Sequence, residues 1–224
     1  VSYSWTQGFY YKPRIDKKLL KEFSEGLVCS SACLGGEIPQ FIMRGDITSA
    51  ERSVLEFREI FGDDYYLELQ LHKSLSGGSD NDVYPNQVKV NKVLAELAAK
   101  NNIKLIATND VHFTAEDDAV AHDHLICLNT GRDLDDVTRM RYTGQEYFKS
   151  PDEMAALFPE YPEALANTLE IADKVELYSI EHRPLMPDFP LPEDFIIDAD
   201  KLRETFLRRF DNKVKPLEDK LASI

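Results

Sequence analysis

The chain alternates between short apolar runs with a two-residue repeat and longer runs with a helical repeat. In the segment 65–71, Tyr65, Leu67, Leu69 and Leu71 alternate with more polar neighbours, which is the pattern of a strand with one apolar face. The runs 26–31 and 103–108 are also short and rich in apolar residues. We therefore predict three strands, at 26–31, 65–71 and 103–108.

Helical segments surround these strands. Asp16 is a good N-cap and Gly26 a good C-terminal stop, with Leu19, Leu20 and Phe23 at helical spacing between them. The same reasoning predicts a short helix opening at Pro39 and further helices at about 85–100, 115–128, 151–158, 162–175 and from Asp200 to the end.

Strands that alternate with helices of this length predict an α/β fold with parallel strands. The segment Ser74–Asp82, rich in Ser, Gly, Asp and Asn, is predicted to be a loop. After Gly131 the chain becomes helical, and a connector with Pro184, Pro187, Pro190 and Pro192 marks a domain boundary.

Composition narrows the functional classes. The 224 residues contain 40 acidic and 26 basic side chains, a formal charge of −14. Proteins that bind nucleic acid usually contain more basic than acidic residues, because Lys and Arg neutralise phosphates. We therefore do not expect this chain to be a principal nucleic-acid surface, although a local basic patch remains open.

The setting predicted from the sequence is cytoplasmic and reducing. No apolar run is long enough to span a membrane, and no secretion signal is visible at the N-terminus. The three cysteines, Cys29, Cys33 and Cys127, are an odd number and form no zinc-knuckle pattern. The missing initiator Met predicts a fragment of a longer protein.

Three residues with metal-binding side chains follow the predicted strands. Cys33 comes after the first strand, and Asp110 and His112 come after the third. The carboxyl ends of parallel strands meet at one edge, and a thiolate, a carboxylate and an imidazole together suit zinc, or manganese or iron with further carboxylates. His72, after the second strand, is a secondary candidate for the same rim.

Structural roles are the alternative for these residues. An Asp-x-His after a strand often caps a helix or bonds within a loop, and a lone Cys often packs as a small apolar group. His122 and His124 are two apart on a predicted helix and so face different directions, which indicates structural roles. Lys12 and Arg14 are candidates for contacting a phosphate, with pairing to surface carboxylates as the alternative.

Several motifs together carry a family resemblance. They are the segments 8–16 (GFYYKPRID), 31–40 (SACLGGEIPQ), 66–70 (YLELQ), 107–113 (ATNDVHF), Arg141-Tyr142 and 162–168 (PEALANT). In this order and spacing they resemble the N-terminal PHP (polymerase and histidinol phosphatase) domain of the bacterial replicative, C-family DNA polymerase III alpha subunits. The resemblance covers nearly all of residues 5–195.

The resemblance implies a fold and a metal site. The family's domain is a distorted (β/α)7 barrel, similar to a TIM barrel, with a trinuclear metal cluster at the strand ends. Cys33, Asp110 and His112 map onto three of its ligand positions. The upstream His-x-His ligands and the polymerase palm are absent, so residues 1–190 correspond to a partial PHP domain and residues 191–224 to a linker and a helix leading toward the palm.

The resemblance also implies a function. The parent protein performs DNA-directed DNA synthesis as a nucleotidyltransferase with magnesium. Its PHP domain, with zinc or manganese, is expected either to act as a 3′–5′ exonuclease or to dock the proofreading subunit, whereas this fragment alone is expected to be inactive. The expected partners are the rest of the polymerase chain and other replisome subunits, with DNA contacted through the parent and no membrane. A stand-alone phosphoesterase of the histidinol phosphatase type is the alternative.

Overall fold

Three short parallel strands form the sheet in the described part of the chain. The computed structural model describes residues 1–74, 82–185, 201 and 204–209. The strands β1 (Cys29–Ser30), β2 (Tyr65–Leu69) and β3 (Lys104–Ala107) lie in the order β1-β2-β3. Cys29 pairs with Tyr65, and Leu69 pairs with Ala107. The three predicted strands are therefore present, but each is shorter than the run that indicated it, and β1 has only two of the six predicted residues.

Helices make up most of the remaining regular structure. They are α1 (Ser2–Thr6), α2 (Lys17–Glu22), α3 (Glu37–Met43), α4 (Ile47–Phe61), α5 (Val83–Asn101), α6 (Ala119–Thr130), α7 (Pro151–Leu157) and α8 (Pro162–Lys174). Single turns of 3-10 helix at Gly62–Asp64 and Glu116–Asp118 precede β2 and α6. None of the helices in the described residues combines the length and the apolar character that crossing a membrane requires.

The sheet has an apolar face and a polar face. Tyr65, Leu67 and Leu69 alternate along β2 and belong to the core, together with residues from α3, α4, α5 and the α7–α8 region. The buried apolar members of this core include Ile38, Ile42, Ala50, Val54, Phe61, Val90, Leu94, Leu97, Leu105, Phe158 and Ala164. Burial of these side chains provides the main stabilisation of the sheet and its helices.

The polar face centres on Glu68, whose side chain alternates with the core residues of β2. Its carboxylate accepts hydrogen bonds from the hydroxyl groups of Ser30 and Thr108 and, at 2.8 Å, from the amide of Gln70. Ser30 lies in β1, Gln70 follows β2 and Thr108 follows β3. The Glu68 carboxylate therefore connects the three neighbouring strands through hydrogen bonds.

Helix α8 packs along β3. The Asn167 amide donates to the backbone oxygen of Leu105 at 2.7 Å. Towards the amino ends of the strands, the Tyr66 hydroxyl donates to Glu170 at 2.9 Å, and Lys174 donates to Asp64 at 2.7 Å. This cover matters because an open strand edge is prone to pair with other chains.

The structure refines the expectations from sequence in several places. The predicted helices around α2, α3, α5, α6, α7 and α8 are all present, but α1 and the 15-residue α4 were not predicted. The described residues show parallel α/β structure and not a closed barrel. Most of the predicted loop Ser74–Asp82, most of the proline connector and most of the last helix lie outside the described residues, although 201 and 204–209 are helical.

The chain divides into two compact units, Val1–Glu176 and Leu177–Ile224. The predicted division into a partial PHP domain (1–190) and a linker with a helix (191–224) stays a prediction.

Candidate functional site

The carboxyl ends of the three strands define the candidate site. Because the strands are parallel, the residues that follow them emerge at the same edge of the sheet. Cys33 follows β1, His72 follows β2, and Asp110 and His112 follow β3, as the sequence predicted.

The turn after β1 positions Cys33. Ser31 is tied to the neighbouring strand, since its hydroxyl accepts from the backbone N–H of Glu68 at 2.8 Å. Ala32 then takes a positive φ of 61°, and the N–H of Gly36 donates to the oxygen of Cys33 at 2.8 Å. The tight turn leaves Cys33 half-buried.

The turn after β3 presents Asp110 and His112. Asp110 has a positive φ of 43°, a backbone conformation that Asp tolerates better than most residues. The Nδ1 atom of His112 lies 2.6 Å from the Asp110 backbone oxygen. Because this oxygen can only accept, Nδ1 is the donor and Nε2 is the ring nitrogen left to bind a metal, the arrangement typical of a metal-binding histidine.

A distant segment, 143–148, holds this turn in place. The backbone N–H of His112 donates to the oxygen of Glu146 at 2.8 Å, and Phe113 forms a parallel bridge with Tyr147. The Glu146 carboxylate is buried and accepts from the hydroxyl of Thr143 at 2.8 Å. This segment has no periodic pattern of apolar residues, so its role was not predicted.

Aromatic rings gather around the predicted ligands. The ring centroids of His112 and Tyr142 are 4.4 Å apart, and those of His122 and Tyr142 are 4.9 Å apart. Burial raises the pKa of the Tyr142 hydroxyl, with smaller contributions from Asp110, Glu146 and Cys33. Tyr142 therefore contacts the His112 ring and lies within electrostatic range of Asp110 and Cys33.

His122 and His124 have different surroundings. His122 contacts the rings of His112, Phe113 and Tyr142, whereas Nδ1 of the exposed His124 bonds the Val120 oxygen one turn back at 2.7 Å. The expectation that they face different directions agrees with this geometry. The proximity of His122 to the site was missed, because only the fold brings α6 beside the turn after β3.

The secondary candidate His72 is 3% exposed, and both of its ring nitrogens have partners. Nε2 lies 3.0 Å from the Asn109 oxygen, and Nδ1 lies 2.9 Å from the side-chain nitrogen of Gln87. Burial lowers the pKa of this imidazole, although Glu146 opposes the shift. Because both ring nitrogens of His72 already make hydrogen bonds, the ring has no free lone pair to offer a metal.

Lys12 and Arg14 lie on the N-terminal segment. Both are exposed; the backbone of Lys12 pairs with Tyr10, and the guanidinium of Arg14 lies 5.6 Å from the centre of the Tyr10 ring. Arg14 lines a cavity of about 470 Å³ together with residues that include Asp16 and Glu22. Their predicted contact with a phosphate stays a prediction.

Lys149 is a cation that the sequence reasoning missed. Its Nζ donates to the backbone oxygen of Gln145 at 2.5 Å and lies 3.5 Å from the centre of the Tyr147 ring. Burial lowers the pKa of its ammonium group. It braces the segment that holds the turn after β3.

The side-chain types of the site suit a divalent metal, but the described residues alone do not complete a metal shell. Thiolate, imidazole and carboxylate are ligands of zinc, and structural or catalytic zinc takes at least three protein ligands. Within residues 1–74 and 82–185, no three His, Cys, Asp or Glu side chains are grouped so that they could hold a metal ion.

A comparison with known protein families indicates the class of domain. Residues 1–72 match the PHP domain family. This match includes β1, the turn with Cys33 and β2.

Over nearly its whole length, the chain is similar to DNA polymerase III subunit alpha from several bacteria. It is 38% identical to that of Borreliella burgdorferi over 223 residues, which are 99% of this chain and 19% of the relative. It is 38% identical to that of Treponema pallidum (87% of this chain, 16% of the relative) and 39% identical to that of Thermus aquaticus (96% and 18%). The chain thus spans less than a fifth of each relative, and the resemblance inferred from the motifs is confirmed.

Proposed function

We propose that the chain is a PHP-domain segment of a replicative DNA polymerase III alpha subunit and that the parent protein carries out DNA-directed DNA synthesis with magnesium. The observation that carries this proposal is similarity to that subunit over 99% of the chain. A stand-alone phosphoesterase of the histidinol phosphatase type accounts for the match of residues 1–72 but not for similarity to a polymerase subunit along the rest.

Within the parent, Cys33, Asp110 and His112 are proposed to hold zinc or manganese together with ligands from outside this chain. The support is their position at one sheet edge and the hydrogen bond of His112 Nδ1, which leaves Nε2 of this exposed residue as the nitrogen available to a metal. A bound divalent metal supplies an activated water and neutralises charge on a phosphodiester, which suits a 3′–5′ exonuclease. Lys12 or Arg14 would contact a phosphate of the DNA.

A docking role for the same region is the second candidate. This role needs no bound metal, so it is compatible with described residues in which no three donor side chains are grouped. In this role the region stabilises the polymerase and binds the proofreading subunit. Under both candidates the isolated 224-residue chain is inactive, the partners are replisome subunits, and the setting is the reducing cytoplasm.

A 3′-exonuclease assay on the longer polypeptide, with manganese or zinc, tests the first candidate. We expect Asp110→Asn and His112→Ala to lower the rate by at least about 100-fold, as loss of a group that holds a catalytic metal does. His124→Ala is the matched control, because its imidazole bonds within its own helix. Wild-type protein that lacks both activity and metal by elemental analysis would exclude the nuclease and leave the docking role.

The docking role is tested separately. Pull-down of purified proofreading subunit by the longer polypeptide, with and without residues 1–176, measures whether this region contributes a docking surface. Equal binding by both proteins would contradict the docking role.

A further inference from the structure

We propose that His72 is a positioning residue that fixes the turn carrying Asp110 and His112, and that it is not a metal ligand. The relevance of this inference rests on the proposed function of the site, but its evidence is independent of any metal. It comes from a chain of buried hydrogen bonds that connects α5 with the turn after β3 through Gln87, His72 and Asn109, which we name the strand-end relay.

The first step in the relay is the orientation of Gln87. Its side-chain oxygen accepts the backbone N–H of His72 at 2.7 Å, so its NH₂ group faces the His72 ring. That group lies 2.9 Å from Nδ1 and donates to it. Gln87 thus holds both the backbone and the ring of His72, and it is itself 3% exposed.

The second step fixes the protonation of His72. Nδ1 accepts from Gln87, and Nε2 lies 3.0 Å from the backbone oxygen of Asn109, which can only accept. The ring is therefore neutral with its proton on Nε2. Protonation of Nδ1 would place two donors against each other, and coordination of a metal would break one of the two bonds.

The third step passes from Asn109 to the segment 143–148. The backbone oxygen of Asn109 accepts from His72. The side-chain NH₂ of Asn109 donates to the backbone oxygens of Gln145 and Tyr147 at 2.8 and 2.7 Å. Asn109 is 6% exposed, and the next residue, Asp110, has the positive φ of 43°. The segment in turn accepts the N–H of His112 through the Glu146 oxygen at 2.8 Å.

The relay therefore determines where the two predicted ligands point. A backbone at positive φ costs conformational energy and persists only where surrounding bonds enforce it. Here His72 holds the Asn109 backbone oxygen. The segment 143–148 holds the Asn109 side chain and the N–H of His112. Losing the bond from His72 Nε2 leaves the Asn109 oxygen without its donor and frees the turn to relax.

Two substitutions separate the two bonds of the ring. The side-chain nitrogen of Gln in His72→Gln takes the place of Nε2 and still reaches the Asn109 oxygen. The oxygen of Asn in His72→Asn takes the place of Nδ1, accepts from Gln87 and does not reach Asn109. His72→Leu removes both bonds at similar volume.

Amide hydrogen exchange of the metal-free chain is the measurement. In His72→Leu and His72→Asn we expect the amides of His112 and Phe113 to exchange about tenfold faster, the effect of losing one buried hydrogen bond, and in His72→Gln to exchange at the wild-type rate. The amide of Leu94 in α5 is the internal control for global unfolding. Rescue by Gln and not by Asn is a result that a general packing role would not give.

Two results would overturn the proposal: unchanged exchange at His112 in His72→Leu, or equal rescue by Asn and Gln. Because no metal is present, either result would refute the relay without bearing on the nuclease. Conversely, a relay confirmed in a protein that fails the exonuclease assay would assign the same positioning to the docking role.

Discussion

At the scale of single residues, backbone atoms approach Gly36 closely in the turn that carries Cys33. Gly36 is the N-cap of α3, with φ −64° and ψ 156°, a conformation open to any residue. A Cβ atom at this position would nevertheless lie 2.3 Å from the backbone oxygen of Ser31. The requirement for glycine is therefore steric and does not come from the backbone angles.

Gly36→Ala is expected to lower the free energy of unfolding by about 2 kcal/mol, because the turn must move away from the new methyl group. Gly35→Ala is the matched control, since its Cβ would meet the Cys33 sulfur at 3.7 Å, an ordinary contact. Urea denaturation of both variants measures the difference. Equal loss in the two would show that the turn adapts and that Gly36 is not required.

At the scale of secondary structure, local signals set most element boundaries. Ser150 and Glu153 form a capping box at the start of α7, and Pro151 occupies its first turn. Asp46 likewise accepts from the N–H of Ser49 at the start of α4, so this helix carried a capping signal that the sequence reasoning did not use. The same reasoning placed β1, β2 and β3 correctly, because their runs are apolar and short.

The capping box predicts a specific pH dependence. The Tyr147 hydroxyl donates to Glu153 at 2.7 Å, and together with donation from the Ser150 backbone and hydroxyl this lowers the pKa of Glu153 from 4.5 to about 2. Because the folded state prefers the ionised form, this stabilisation is complete above about pH 4.5 and is lost as the pH falls toward about 2. We expect Glu153→Gln to lower the Tm at neutral pH and the difference from wild type to vanish near pH 2.

Thermal unfolding monitored by circular dichroism across this pH range checks the sign. Glu160→Gln, in the turn after α7, controls for loss of one negative charge. A difference between wild type and Glu153→Gln that stays constant with pH would show that the carboxylate is not what the cap requires.

At the scale of the whole molecule, the stabilising core belongs to one of the two units. All buried apolar residues found in the described part of the chain lie between Ile38 and Ala164, inside the unit Val1–Glu176. Hydrophobic burial is the dominant favourable term in folding. The unit Val1–Glu176 is therefore expected to contain what it needs to fold.

A chain ending at Glu176 is accordingly expected to unfold cooperatively, with a free energy within about 0.5 kcal/mol of the full 224 residues, the range of changes that leave the core intact. Urea denaturation followed by far-ultraviolet circular dichroism and by fluorescence of Trp5 measures both. A loss of several kcal/mol would show that residues 177–224 complete the core.

The sequence by itself determined the strands, most helices and the edge at which Cys33, Asp110 and His112 emerge. Apolar periodicity and capping residues act over a few positions, and parallel order then follows from alternation of strand and helix. Only the tertiary structure decided what surrounds these residues. Asn109 bonds Gln145, 36 positions away, and His72 bonds Asn109, 37 positions away. Contacts over such distances leave no local periodicity, because they depend on how elements pack and not on how each one forms.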